Sequence, residues 1–247
     1  MPKHADVEKG FLVHLSDLRR CLLRVFIAVL LGFAGSVVLS KELIQLLTAH
    51  AGKLVVLRPA EALMNQLKVA LINGIIVSFP IVLWQIGVFL WPALYRNERR
   101  AILFYLPFAL LLFAAGVAFG FLVVVRTGYT FLLSLVPKTM TTAITLDNYL
   151  SFALSSTLAC GIIFLLPVAV LLLVRLGILK AAFLWRQQKV VIIGLMVLVA
   201  VITPTVDAVS MLLVFMPLLF LFELSILLAA AAEHRRKKRM SLMDHEA

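Results

Sequence analysis

Two carboxylates in this sequence stand among arginines beside apolar residues, and both could bind a guanidinium group. The first is Asp17, in His14-Leu-Ser-Asp-Leu-Arg-Arg20; the second is Glu98, in Trp91-Pro-Ala-Leu-Tyr-Arg-Asn-Glu-Arg-Arg100. A carboxylate accepts two parallel hydrogen bonds from a planar guanidinium, worth about 1.5–3 kcal/mol where water is partly excluded. Two such groups on one face can hold two arginines of a ligand. The alternative is that each carboxylate only neutralises its own neighbours: Asp17 and Arg20 are three residues apart, and Glu98 has three arginines within reach.

Other polar residues sit within apolar runs. Glu223 is a carboxylate in the last of them, and Asn73 and Gln85 are amides in the second. An ionisable group inside a membrane span is a functional candidate by default. If the last helix is short, Glu223 instead lies near the interface, where it can pair with a basic residue. Catalytic patterns are missing from the sequence. The five histidines lie outside the apolar runs, and there is no HExxH, GxSxG or phosphate-loop pattern. Ser155 and Ser156 have no base near them in sequence and are expected to bond back to their own helix. Cys21 and Cys160 form neither a disulfide framework nor a metal spacing. No enzyme, cofactor or metal site is expected.

The elements that must position these residues are membrane spans. Of the 247 residues, 63% are hydrophobic and 14% charged, against about 45–50% apolar for ordinary soluble domains. A spanning helix needs about 20 predominantly apolar residues. Six candidates appear: 21–39, 68–90, 101–125, 149–174, 190–203 and 209–232. The first carries no cleavage site after it and reads as a retained anchor. Residues 1–20 form a separate amphipathic segment, with Phe11, Leu15, Leu18 and Leu22 at helical spacing along the interface. The domain reading is therefore 1–20 amphipathic, 21–232 membrane-spanning and 233–247 a basic tail. Segments 40–67 and 126–148 are expected to pack as short helices over the outer end, and 91–100 to be a tight loop.

The net charge of +11 marks topology rather than nucleic acid. With the N-terminus placed in the cytoplasm, 17 Lys and Arg fall on the cytoplasmic side and 6 on the other. This is the positive-inside bias, with both termini inside. The link Thr203-Pro-Thr-Val-Asp207 is too short for anything but an antiparallel hairpin between helices five and six. Helix five, at about 21 Å, falls short of a hydrocarbon core of about 30 Å.

Taken together, these residues resemble TatC, the signal-peptide receptor and core membrane subunit of the twin-arginine protein translocase. The similarity lies in His14-Leu-Ser-Asp-Leu-Arg19, Phe79-Pro80 with Gln85, and Phe89-Leu-Trp-Pro-Ala-Leu-Tyr-Arg-Asn-Glu-Arg-Arg100. It continues in Gly116-Val-Ala-Phe-Gly-Phe121, Tyr149-Leu-Ser-Phe152, Phe164-Leu-Leu-Pro167, Thr203-Pro-Thr and Phe222-Glu223. The resemblance implies an inner-membrane protein that binds paired-arginine signal peptides. It also implies single-span TatA-like and TatB-like partners, and export of folded proteins by the proton-motive force. Residue by residue, it implies signal-peptide binding for Asp17, Arg19, Glu98, Phe89 and Pro80, and assembly or partner contact for Asp207, Gln85 and Glu223.

The sequence departs from the family pattern at two places. Asp17 stands where Glu is usual, one methylene shorter, and Leu165 and Leu166 stand where many relatives carry a polar group before the proline. The competing readings are a small-solute secondary transporter and a scaffold without a ligand.

Overall fold

A computed structural model of the chain describes residues 3–49, 51–52, 54–90, 96–134, 137, 144–175, 179, 181–202, 211–212, 214–227 and 230, without the side chains of 3–15, 90, 96–104, 175, 181–182 and 201–202. The described secondary structure is helical apart from one isolated β-bridge. Four helical stretches are long and apolar enough to cross a membrane: Ser16–Val38, Pro59–Phe89, Tyr105–Ser134 and Leu146–Val174. Two apolar helices, Gln188–Ala200 and Val214–Leu227, are shorter. The chain divides into two compact units, Met1–Leu46 with Arg58–Leu110, and Leu47–Leu57 with Leu111–Ala247.

The first unit is built on α1 (Lys3–Val38) and α3 (Pro59–Leu90), with α2 (Ser40–Thr48) following α1. At 1.5 Å per residue α1 is about 54 Å long, and it is one helix. The N-terminal segment expected to lie along the interface therefore runs on into the first span without a break at Arg20. α3 starts at Pro59, nine residues before the expected start at Lys68. Proline is favourable at a helix start, where its missing N–H has no partner to lose, and Glu61 in the first turn suits the helix dipole.

α1 and α3 pack antiparallel where both chains are glycine. A Cβ on Gly74 would stand 2.6 Å from Phe33 N and 2.7 Å from Phe33 Cα; one on Gly32 would stand 2.6 Å from Gly74 O. In lipid the hydrophobic effect gives helices no reason to associate, so close backbone approach and interhelical hydrogen bonds hold them. Both are present. Ser78 Oγ donates to Ala28 O at 2.7 Å, Asn73 Nδ2 to Ser36 Oγ at 3.0 Å, and Cys21 Sγ approaches Gln85 O at 3.7 Å.

In the second unit, α4 (Arg96–Phe119), which begins in the first, runs through a π-helical turn, Gly120–Val125, into α5 (Arg126–Ser134). The expected end of the third span at Val125 is thus no helix end. Gly116 and Gly120 lie one turn apart and face α6 (Leu146–Ile163): Cβ atoms there would meet Cys160 O at 2.7 Å and Thr157 Cα at 2.8 Å. Phe119 and Phe164 rings stand 5.4 Å apart beside this contact. α6 starts at Thr145, whose hydroxyl accepts from Asn148 N at 3.4 Å. It breaks at Phe164–Leu165 and resumes as α7 (Leu166–Arg175), with Pro167 in the new first turn, where proline is tolerated.

Within the second unit, residues 47–55 are tied to α5 and the start of α6. Val55 pairs with Thr145 in a parallel bridge, Val55 N donating to Ile144 O and Leu146 N to Val55 O, each at 3.0 Å. Tyr149 Oη donates to Leu47 O at 2.9 Å and Tyr129 Oη to Ala51 O, with the two rings edge-on at 5.1 Å. Gly52 follows at φ +67, a left-handed turn position that glycine fills at no steric cost. The core beneath draws on α6, α7, α8 (Ala181–Arg186), α9 (Gln188–Ile202) and α10 (Val214–Leu227), with Val199 and Ile226 fully buried. The 15 described residues of α9 make about 22 Å of helix.

Candidate functional site

The register of α1 against α3 decides which candidate residues share an end of the molecule. The Ala28–Ser78 and Cys21–Gln85 contacts fix it. One helical turn further, four residues beyond Cys21 and four beyond Gln85, brings Asp17 level with Phe89. Asp17 and Phe89 are half-buried and Arg19 is exposed. Gln85 and Phe89, four residues apart, lie on one face of α3, the face that meets α1 at Cys21. Pro80 is exposed, inside α3. Having no N–H, it leaves the Ile76 carbonyl without its helical donor.

Asp17 makes no ion pair with Arg20 among the described residues, although their spacing permits one. Gln85 Oε1 is buried and has no hydrogen-bond partner among the described residues. A buried acceptor left unmatched costs about 1–3 kcal/mol, so this end of the α1–α3 pair keeps unused capacity to accept a hydrogen bond.

Glu98 lies nine residues beyond Phe89. Its backbone is helical, because α4 begins at Arg96; residues 96–100, expected in a loop, are instead the first turn of a helix. A carboxylate there is favoured by the helix dipole, and three arginines are not. The Glu98 side chain and residues 91–95 lie outside the described residues, and so does Asp207.

Glu223 sits on α10, half-buried, and accepts a hydrogen bond from Gln188 Nε2 at the start of α9. Among the described residues its partner is this amide and not a basic residue. Sequence reasoning gave Gln188 no role; its place as the first residue of a short apolar helix opposite a lone carboxylate was the available signal. Ser155 Oγ bonds back to Phe152 O at 3.1 Å, as expected. Ser156 does not: its hydroxyl and that of Thr157 are buried without a partner among the described residues. Asn65, fully buried in α3, is in the same condition at both ends of its amide.

This arrangement can be set beside known proteins. Residues 13–217 match the family model of the Sec-independent protein translocase protein (TatC). That range takes in Asp17, Arg19, Pro80, Gln85, Phe89, Glu98 and Asp207, and stops short of Glu223. A TatC protein of Carboxydothermus hydrogenoformans is 39% identical over 220 residues, covering 87% of this chain and 90% of the relative. The TatCy protein of Bacillus subtilis is 32% identical over 97% of this chain and 95% of its own length. The crystal structure described as the twin-arginine translocase receptor TatC superposes with a TM-score of 0.78 at 32% identity, over 89% of this chain and 99% of that one. With the family match spanning most of the chain and the helical fold shared, this protein belongs to the TatC family of Sec-independent protein translocase proteins.

Proposed function

We propose that this chain is the receptor subunit of a twin-arginine translocase, spanning the inner membrane six times with both termini in the cytoplasm. In this reading the cytoplasmic end of the α1–α3 pair, together with the start of α4, binds the paired arginines of a signal peptide. Asp17 and Glu98 each take one guanidinium, Phe89 and Pro80 supply apolar surface beside them, and Arg19 orients the peptide backbone. The chain performs no covalent step; it recognises, nucleates assembly, and lets a proton-driven complex move folded cargo.

One observation carries the reading: the antiparallel register levels Asp17 with Phe89 at a single end of α1 and α3, and Glu98 follows Phe89 by nine residues. The charge asymmetry supports the orientation, since that end is the one where most lysines and arginines collect.

Single-span TatA-like and TatB-like helices are the partners this reading requires, and the short α9–α10 hairpin is where we place their contact. Its outward residues Val190, Ile193 and Val197 on α9, and Met216 and Phe220 on α10, are exposed and apolar. At about 22 Å against a core of about 30 Å, the hairpin thins the bilayer locally, and a second helix relieves that mismatch. Asp207, in the link between the two helices in sequence, Glu223 and Gln85 are the polar residues assigned to assembly.

The test is crosslinking of an Arg-Arg precursor to the solubilised protein carrying Asp17→Gln or Glu98→Gln. Loss in both variants supports the site; unchanged crosslinking in both removes it.

A further inference from the structure

The segment between α7 and α9 is basic and carries no acid. From Asn148 to Val206 the sequence holds no Asp or Glu, and its four basic residues, Arg175, Lys180, Arg186 and Lys189, all lie within 175–189. A helical stretch long and apolar enough to cross a membrane ends at Val174, and a shorter apolar helix starts at Gln188. The segment joining them therefore lies at a membrane surface.

α8 fixes how this segment faces outward. Leu184 is 7% exposed and packs in the core, while its neighbours Phe183 and Trp185 are each 51% exposed. At about 100° per residue, Arg186 falls on the side of α8 away from Leu184, between the positions of the two rings. Arg186 and Lys189 are both exposed, and neither side chain has a partner among the described residues. The Glu223 carboxylate is engaged by Gln188, the residue between them and α9's apolar run. A charge that only orients the chain gives no reason for half-exposed aromatic rings on either side of an arginine. Such rings are costly in water and favoured at a bilayer interface.

We propose that α8 and the start of α9 form a docking surface for the headgroup of an anionic phospholipid. The Arg186 guanidinium takes the phosphate through paired N–H donors, and Lys189 adds a point charge. The Phe183 and Trp185 rings sit at headgroup level, where aromatic side chains collect. The complementarity is one of charge: a stretch with four cations and no anion meets a headgroup of net negative charge, which a zwitterionic lipid lacks. Each basic residue near an anionic surface contributes about a fivefold preference.

The experiment uses the full chain in phosphatidylcholine nanodiscs, with Trp84→Phe and Trp91→Phe so that Trp185 is the remaining tryptophan. Its fluorescence is quenched by adding brominated phosphatidylglycerol or brominated phosphatidylcholine. Phosphatidylglycerol is expected to half-quench at a mole fraction roughly 25-fold lower, from two basic residues at about fivefold each. Arg186→Gln and Lys189→Gln should each raise that fraction about fivefold. Arg20→Gln with Arg24→Gln, exposed basic residues on α1, should leave it unchanged. Equal quenching by the two lipids overturns the proposal, and so does a shift as large in the α1 variant, which marks bulk charge. If an Asp/Glu-rich peptide binds through Arg186 and Lys189 while phosphatidylglycerol shows no preference, the occupant is a protein segment and the proposal fails.

Discussion

Replacing Gly74 with alanine tests how the α1–α3 pair holds the candidate site. The added Cβ would lie 2.6 Å from Phe33 N, 2.7 Å from Phe33 Cα and 2.9 Å from Gly32 C. All three are backbone atoms, so no side chain can turn aside. Restoring ordinary contact at 3.4 Å requires α1 and α3 to part by about 0.8 Å, the difference between 3.4 and 2.6. A gap of that size forfeits a quarter to a half of each contact's attraction along the crossing. It also stretches the Ser78–Ala28 and Asn73–Ser36 bonds, now 2.7 and 3.0 Å, each worth about 0.6 kcal/mol in a bilayer. Overpacking of this kind costs about 1–3 kcal/mol, against which alanine recovers about 1 kcal/mol of helix propensity. The net expectation is a loss of about 1–2 kcal/mol, together with weaker precursor crosslinking, because Asp17 moves relative to Phe89. The assay is denaturant unfolding in detergent, with Gly35→Ala as control. A Cβ on Gly35 meets nothing within 4 Å, so that variant should be neutral or slightly more stable. Equal behaviour of the two variants would refute the close-crossing argument.

Three further outcomes follow from the second unit. Tyr149→Phe removes the hydroxyl bonded to Leu47 O, which should cost about 1 kcal/mol and show as faster amide exchange in 47–57 with α9 and α10 unchanged. Gln188→Leu leaves the half-buried Glu223 carboxylate without its donor, and should destabilise by about 1–3 kcal/mol; adding Glu223→Leu should recover much of that loss, which thermal unfolding of the two variants will show. Gly120→Ala places a Cβ 2.8 Å from Thr157 Cα. It should destabilise by about 1–3 kcal/mol, whereas Gly194→Ala, with open space around it, should not.

Four long apolar helices were legible because apolar runs report lipid exposure directly. The start of α3 was not. Glu61, Asn65 and Gln66 make residues 59–67 look like a polar connection, yet Pro59 opens a helix there and Asn65 is fully buried. The π turn was invisible because Gly120–Val125 is as apolar as any spanning helix; only its backbone pairing differs. Ser156 was misread because its sequence context matches that of Ser155, and the difference between them is which side of α6 meets Gly120. The site itself was half legible. Sequence marked Asp17 and Glu98 as carboxylates among arginines, but the levelling of Asp17 with Phe89 depends on a glycine crossing that no periodicity reveals.

The most direct test of arginine recognition compares an Arg-Arg with a Lys-Lys signal peptide for retention on the full-length protein. Lysine keeps the charge and loses the planar two-pronged donor. The account predicts strong preference for Arg-Arg that collapses in the Asp17→Gln, Glu98→Gln double variant. Equal retention of the two peptides, or a preference that survives the double substitution, would contradict it.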